Sequence, residues 1–152
     1  MAEINSRQAA ANALGNKLKN SENGRRRAAV VQTPAVFAAL NINDTIAGGQ
    51  FIPAGSRIVG CKIGNGAGTA ASTLAVGLRK RSDGTVISAT AIVVARAITA
   101  ASAIVTEVAD GTYVVAGVEQ VLADDAEVYL TALGAVLAAN QVIRIEIEYI
   151  GA

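Results

Sequence analysis

The chain has 152 residues, with 13 Lys and Arg against 12 Asp and Glu, one cysteine and no histidine. A chain of this length fits one domain that buries about 70% of its unfolded surface, so the fold needs no disulfide or metal. The missing histidine excludes Ser-His-Asp and Cys-His catalysis, and one cysteine can supply neither a disulfide nor a zinc site.

The first segment in chain order, Met1 to Arg27, is basic. It carries a net charge of +4, whereas residues 28–152 carry a net charge of −3. Its apolar residues recur near one helical face, but Gly15 and the stretch from Asn20 to Gly24 oppose a long helix. We therefore predict a basic arm over residues 1–27, extended or partly helical, that becomes ordered on a partner. The residues expected to make that contact are Leu14, Leu18, Arg25, Arg26 and Arg27.

The remainder, residues 28–152, is predicted to be one mostly-β domain, because it is rich in Val, Ile and Thr and has glycine-containing turns. Its clearest strand is the C-terminal QVIRIEIEYI, where isoleucines alternate with Arg144, Glu146 and Glu148. The other predicted strands are Arg57–Ile63, Thr73–Arg79, Val86–Ala91, Thr112–Val118 and Ala126–Leu133. Asp83-Gly84 and the IPAG stretch predict turns.

One segment, Ala89 to Val105, carries two conflicting patterns. Helical spacing is seen for Arg96, Thr99, Ser102 and Thr106. The run Ile92 to Val94 favours a strand, so helix and strand both stay open. The segment is also the longest apolar run. It is shorter than the ~20 residues of a membrane span and contains an arginine, and no apolar leader follows the N-terminal charges, so we expect a soluble protein.

The run GNGAGTAAST, from Gly64 to Thr73, raises the question of a phosphate-binding loop. Its glycines are spaced G-x-G-x-G, the next segment reads as the strand TLAVGL, and no Lys-Ser or Lys-Thr follows. Dinucleotide and P-loop sites require different spacings and the N-terminus of a helix at this point. We predict a loop between two strands and no nucleotide or other cofactor.

The remaining polar clusters also have structural explanations. The spacing and the glycine of an EF-hand are missing around Asp124, Asp125 and Glu127. We interpret these residues as part of a turn that also contributes to solubility. The run Arg79 to Arg81 is interpreted as exposed charges beside a hairpin. Cys61 lies in an apolar run and has no histidine to activate it, which predicts a small buried side chain.

Several stretches of the domain resemble small structural proteins of tailed bacteriophages, in particular capsid decoration or cement proteins. The matching stretches are Asp44 and Ile46, Ile52–Gly55, Arg57–Gly60, Asp125–Thr131 and Ile143–Ile150. The resemblance covers most of the chain from about Ala38 onward and does not include the arm. It implies a jelly-roll-like antiparallel β-sandwich without enzymatic activity, located on the capsid surface of the virion and in the host cytoplasm during assembly.

The partners implied are the major capsid protein and neighbouring copies of this chain. A dimer or trimer is expected on separate grounds, because short sandwiches expose sheet edges. Two alternatives stay open at this stage. One is a component of the phage tail, neck or head fibre. The other, of a different class, is an accessory protein that binds nucleic acid through Arg25 to Arg27.

Overall fold

The computed structural model describes residues 26–105, 107–114 and 120–151. Within these residues the chain forms β-strands and no helix. The strands are β1 (Arg26–Gln32), β2 (Thr45–Ile52), β3 (Arg57–Asn65), β4 (Thr73–Lys80), β5 (Val86–Ala97), β6 (Ala126–Leu133) and β7 (Ile143–Ile150). No helix long and apolar enough to cross a membrane occurs in this part of the chain.

The strands form two antiparallel sheets that pack face to face. The three-stranded sheet has the order β1-β7-β3, and the four-stranded sheet has the order β2-β6-β4-β5. The predicted mostly-β, sandwich-like antiparallel fold is therefore confirmed, whereas the jelly-roll connectivity stays a prediction.

The core lies between the two sheets and follows from the alternation of apolar and polar residues. In β7, Ile143, Ile145 and Ile147 are fully buried, while the charged residues between them face solvent. They pack against the inward side chains of the other sheet, among them Leu78 and Leu130. The core consists mainly of Ala, Val, Ile and Leu, with Tyr149 at its margin, as the composition predicts.

The predicted turns are confirmed. Gly84 has a φ of 75° in the hairpin between β4 and β5, where Thr85 and Lys80 are joined by a backbone hydrogen bond. Gly55 has a φ of 81° in the IPAG turn, and the Ser56 amide donates to the Pro53 carbonyl. Both positions need the left-handed backbone conformation that glycine adopts without strain.

Two predictions on the strands need correction. Residues 112–114 form a turn and not the start of a strand, because the Val114 amide bonds back to Gly111, while 115–118 lie outside the described residues. The ambiguous segment is a strand as far as Ala97 and irregular over the rest of its described length. In addition, β1 and β2 were not predicted, and β1 begins at Arg26, inside the predicted arm.

The irregular residues 98–105 and 107–114, hereafter the edge-covering segment, run from the end of β5 along one side of the sandwich. Ser102 and Asn65 exchange backbone hydrogen bonds, and the Val108 amide donates to the Cys61 carbonyl, which covers the outer edge of β3. Further on, the Gly111 and Tyr113 amides donate to carbonyls of β5. Backbone groups of two edge strands are thereby satisfied within the chain.

Candidate interaction surface

The glycine-rich run connects β3 to β4, as predicted, and the amides of Asn65, Gly66, Gly68 and Ser72 donate to carbonyls within the chain. The Gly66 amide donates to the Val142 carbonyl at 2.8 Å, and the Gly68 amide donates to the Thr99 carbonyl at 3.0 Å. Asn65 contributes a side-chain amide that donates to three carbonyls, those of Gly66, Ile98 and Ala100. A phosphate cradle needs free amides that converge on the ligand. This loop instead uses those amides to stabilise its own conformation.

Substituting the two central glycines is expected to have unequal effects. A β-carbon at Gly68 would overlap the amide group of Gln141, a buried side chain that donates to the carbonyls of Gly66 and Ile98. Gly68→Ala should therefore lower the free energy of unfolding by about 2 kcal/mol, through overpacking and lost hydrogen bonds. Gly66→Ala meets only one atom, 3.8 Å away, and should be near neutral. Urea denaturation would compare them, and equal losses would contradict this account.

One end of the sandwich, hereafter the charged end, gathers the ionised residues at the strand termini. These are Arg26, Arg27, Arg57, Arg79, Lys80, Arg81, Asp83, Asp124, Asp125 and Glu127. The strand register places them together, because β1, β3, β5 and β6 begin at this end and β2, β4 and β7 finish there.

The basic and acidic clusters of the charged end neutralise each other across the pair β4–β6. Arg79 bonds to Glu127 at 2.7 Å, and Lys80 lies 3.0 Å from Asp124. The Asp125 carboxylate accepts a hydrogen bond from the Ala54 amide at 2.9 Å. The sequence predicts exposed charges beside a hairpin at Arg79 to Arg81, but Arg79 and Lys80 form ion pairs. The acidic residues have partners, and no group of three or more metal-ligating side chains lies together in the described part of the chain.

Of the predicted partner-contact residues, only Arg26 and Arg27 lie within the described residues, and Leu14, Leu18 and Arg25 lie outside them. Arg26 pairs with Glu148 of β7 at 2.8 Å, and its side chain is 71% exposed. Arg27 is exposed. Sequence reasoning treated the three arginines as one patch, whereas the last two belong to the first residues of β1.

The opposite end, hereafter the neutral end, consists of four loops over residues 33–44, 66–72, 98–102 and 134–142. Their only Asp, Glu, Lys or Arg residue is Asp44, which is exposed and whose carboxylate accepts a hydrogen bond from the Asn41 amide. Their apolar side chains are nevertheless exposed, and Val36 reaches 83% exposure, while Val142 reaches 55%. An exposed surface with a single charged residue at one end of a domain is unusual enough to require an explanation, because charged residues are depleted mainly at the centre of interfaces.

Backbone hydrogen bonds tie the four loops of the neutral end to one another. Leu40 and Leu137 exchange two hydrogen bonds, and the Phe37 amide donates to the Asn140 side chain at 2.8 Å. The Ile98 amide donates to Ser72. A surface held in one conformation in this way loses little conformational entropy when it binds, which favours its use as an interface.

Comparison with known proteins supports the fold and shows no family. No protein-family model matches the sequence, and no curated protein matches it. A chain from the solved capsid of Ralstonia phage GP4 is similar, with a TM-score of 0.64 and 18% identity over 85% of this chain and 86% of that chain. A chain of the cyanophage Pam1 capsid asymmetric unit is also similar, with a TM-score of 0.48 and 14% identity over the same shares.

Proposed function

We propose that this protein is a structural component of a phage virion that binds the outside of the capsid and reinforces the lattice of the major capsid protein. The observation that carries the proposal is the common fold with a chain of the Ralstonia phage GP4 capsid, which extends over more than four fifths of both chains. The phage-like sequence stretches support it independently, because they were identified from the sequence alone.

The two unlike ends of the sandwich suggest how it would bind. Burial of the neutral end would remove at most one charge, that of Asp44, from water, so its desolvation is less costly than that of the charged end. We therefore assign the neutral end to the contact with the major capsid protein. The basic arm, which enters β1 at the other end, would then reach a neighbouring copy or another capsid subunit. Many such contacts repeated over a lattice would stabilise the particle by multivalency.

The amount of this protein in a particle tests the proposal first. Gradient-purified particles would be analysed for the ratio of this chain to the major capsid protein. A ratio near one, or a simple fraction repeated over the lattice, is the expected result. A handful of copies would contradict the proposal and would favour the tail, neck or head fibre.

A pair of matched variants tests the assigned contact. Val142, at the neutral end, and Val86, at the start of β5 near the charged end, are both 55% exposed. Val142→Glu should weaken binding to particles by about tenfold or more, because it buries an unpaired charge in the interface. Val86→Glu should bind like the unmodified protein. Binding to particles that lack this protein would be measured by co-sedimentation, and equal affinities would overturn the assignment.

The alternative of nucleic-acid binding has little support from the described residues. Of the basic residues of the charged end, Arg26, Arg79 and Lys80 each have a carboxylate as ion-pair partner. A DNA-binding surface needs basic groups that are free to neutralise phosphates, and its affinity falls steeply with salt. Measured DNA binding with such a salt dependence would revive this alternative.

A further inference from the structure

The outer edge of β1 differs from the other three edges of the two sheets in the described residues. The edges of β3 and β5 are contacted by the edge-covering segment. The edge strand β2 is irregular, because its register with β6 shifts between Ala47 and Phe51. By contrast, β1 pairs with β7 without a register shift over seven residues. A regular uncovered edge is a template for pairing with another strand, and proteins usually protect such edges by coverage, bulges or charge.

The hydrogen-bond pattern shows which residues of β1 face outward. The Thr33 amide donates to the Ile143 carbonyl, so Val31 and Ala29, which lie two and four residues before Thr33 respectively, direct their backbone groups toward β7. The alternate residues Ala28 and Val30 therefore direct their amides and carbonyls away from the sheet. The same alternation of inward and outward backbone groups holds on the other side of β7. There Cys61 directs its amide and carbonyl away from β7, and both form hydrogen bonds with the edge-covering segment.

We propose that this edge pairs with β1 of a second copy, antiparallel about a twofold axis at Ala29. Ala28 of each copy would then lie opposite Val30 of the other, and Arg26 opposite Gln32. The two three-stranded sheets would become one continuous sheet, joined by up to about eight backbone hydrogen bonds. An interface of this kind is isologous, since both copies use the same residues.

For pairing between two copies, the charges and the neighbouring proline argue against several other arrangements. A parallel arrangement, or an antiparallel one centred at Arg27, would place arginines of the two copies directly opposite each other, which is destabilising. A register centred at Val31 would bring in Pro34, which has no amide hydrogen to donate. Centring at Ala29 separates the arginines to the two ends and places alanine at the axis. The inference does not depend on the proposed function, because the pairing applies to the free protein.

Single-cysteine variants test the register. In a Cys61→Ala background, Ala29→Cys would place two thiols opposite each other at the axis, in a non-hydrogen-bonded pair whose Cα atoms are about 4.5 Å apart. In the matched control, Val31→Cys, the two thiols would be offset by about 13 Å along the strands, too far for a disulfide. Both positions are buried on the same face of β1. Mild oxidation should give covalent dimers from the first variant only.

A proline variant of the full chain tests the edge itself. The outward amide of Val30 is not used by β7, so Val30→Pro should leave the fold intact and remove donors from the proposed contact. Analytical ultracentrifugation should show dimers of the unmodified protein, and a dissociation constant at least about tenfold higher for Val30→Pro. Urea denaturation would verify that the variant is folded, and Val30→Thr serves as a second edge variant that keeps the amide and should still dimerise.

Several results would overturn the inference. They are a monomeric unmodified protein, an unchanged dissociation constant for folded Val30→Pro, and equal disulfide formation by the Ala29→Cys and Val31→Cys variants. If the unmodified protein is a monomer and Val30→Pro loses binding to particles, the edge of β1 belongs to a different capsid subunit and not to a second copy.

Discussion

Gly111→Ala is expected to lower the free energy of unfolding by about 2 to 3 kcal/mol, because the residue lies against the backbone of β5. A β-carbon at this position would overlap the carbonyl group of Ala91 and the amide nitrogen of Ile92. Neither backbone group can move without disturbing the pair β4–β5. The edge-covering segment would have to shift instead.

The loss of stability is larger than the steric clash alone would give, because several hydrogen bonds require the segment around Gly111 to lie close to β5. The Gly111 amide donates to the Ile92 carbonyl at 2.9 Å, and the Tyr113 amide donates to the Ala91 carbonyl at the same distance. The Val94 amide donates to the Asp110 carboxylate at 2.8 Å. A displaced segment would leave these groups to water and would uncover the edge of β5, so aggregation should also increase.

Two measurements check this expectation. Urea denaturation gives the loss of stability, with Gly66→Ala as the control, since alanine fits there without a clash. Amide hydrogen exchange locates the change, and the Val94 amide should exchange faster in Gly111→Ala while amides of β7 keep their relative order of protection. A Gly111→Ala protein as stable as Gly66→Ala would show that the segment does not hold β5 in this way.

The sequence predicts best where a local pattern and the tertiary fold agree. The alternation of isoleucine with charged residues in β7 was sufficient to place that strand, because it lies in the centre of its sheet with one buried face. The glycine-rich loop was also predicted from spacing. In contrast, β2 reads TIAGGQFI, and its two adjacent glycines give it a low strand propensity. Pairing with β6 makes it a strand in spite of that low propensity.

The residues of the candidate surfaces show why the rest was missed. Arg26 and Arg27 read as the end of a basic arm, and only pairing with Tyr149 and Ile150 makes them part of a strand. The neutral end is visible in the sequence as four separate stretches that together contain one charged residue, Asp44, yet only the topology brings them together. The pairing of Lys80 with Asp124 joins residues 44 positions apart along the chain, and a local pattern cannot predict it.

Alkaline pH is expected to destabilise the protein through Cys61. Burial, followed by the nearby carboxylates of Glu107 and Asp110, raises the pKa of this thiol from 9.0 to about 12. The unfolded chain therefore releases the proton at a lower pH than the folded chain. The thiol's contribution is fully present below pH 9 and is lost as the pH rises toward 12, and a shift of this size corresponds to about 4 kcal/mol.

Cys61→Ala is the matched control for this prediction. It removes the titrating thiol and leaves the other alkaline groups, including Tyr129, whose pKa burial also raises. The free energy of unfolding, measured with urea at intervals above pH 8, should fall more steeply with pH in the unmodified protein than in Cys61→Ala. Native Cys61 should also resist alkylation at pH 8, because the thiol is fully buried and protonated. Parallel pH profiles of the two proteins, or rapid alkylation of the native protein, would show that the thiol is in contact with water. The sandwich would then open at the edge of β3 far more readily than its hydrogen bonds imply.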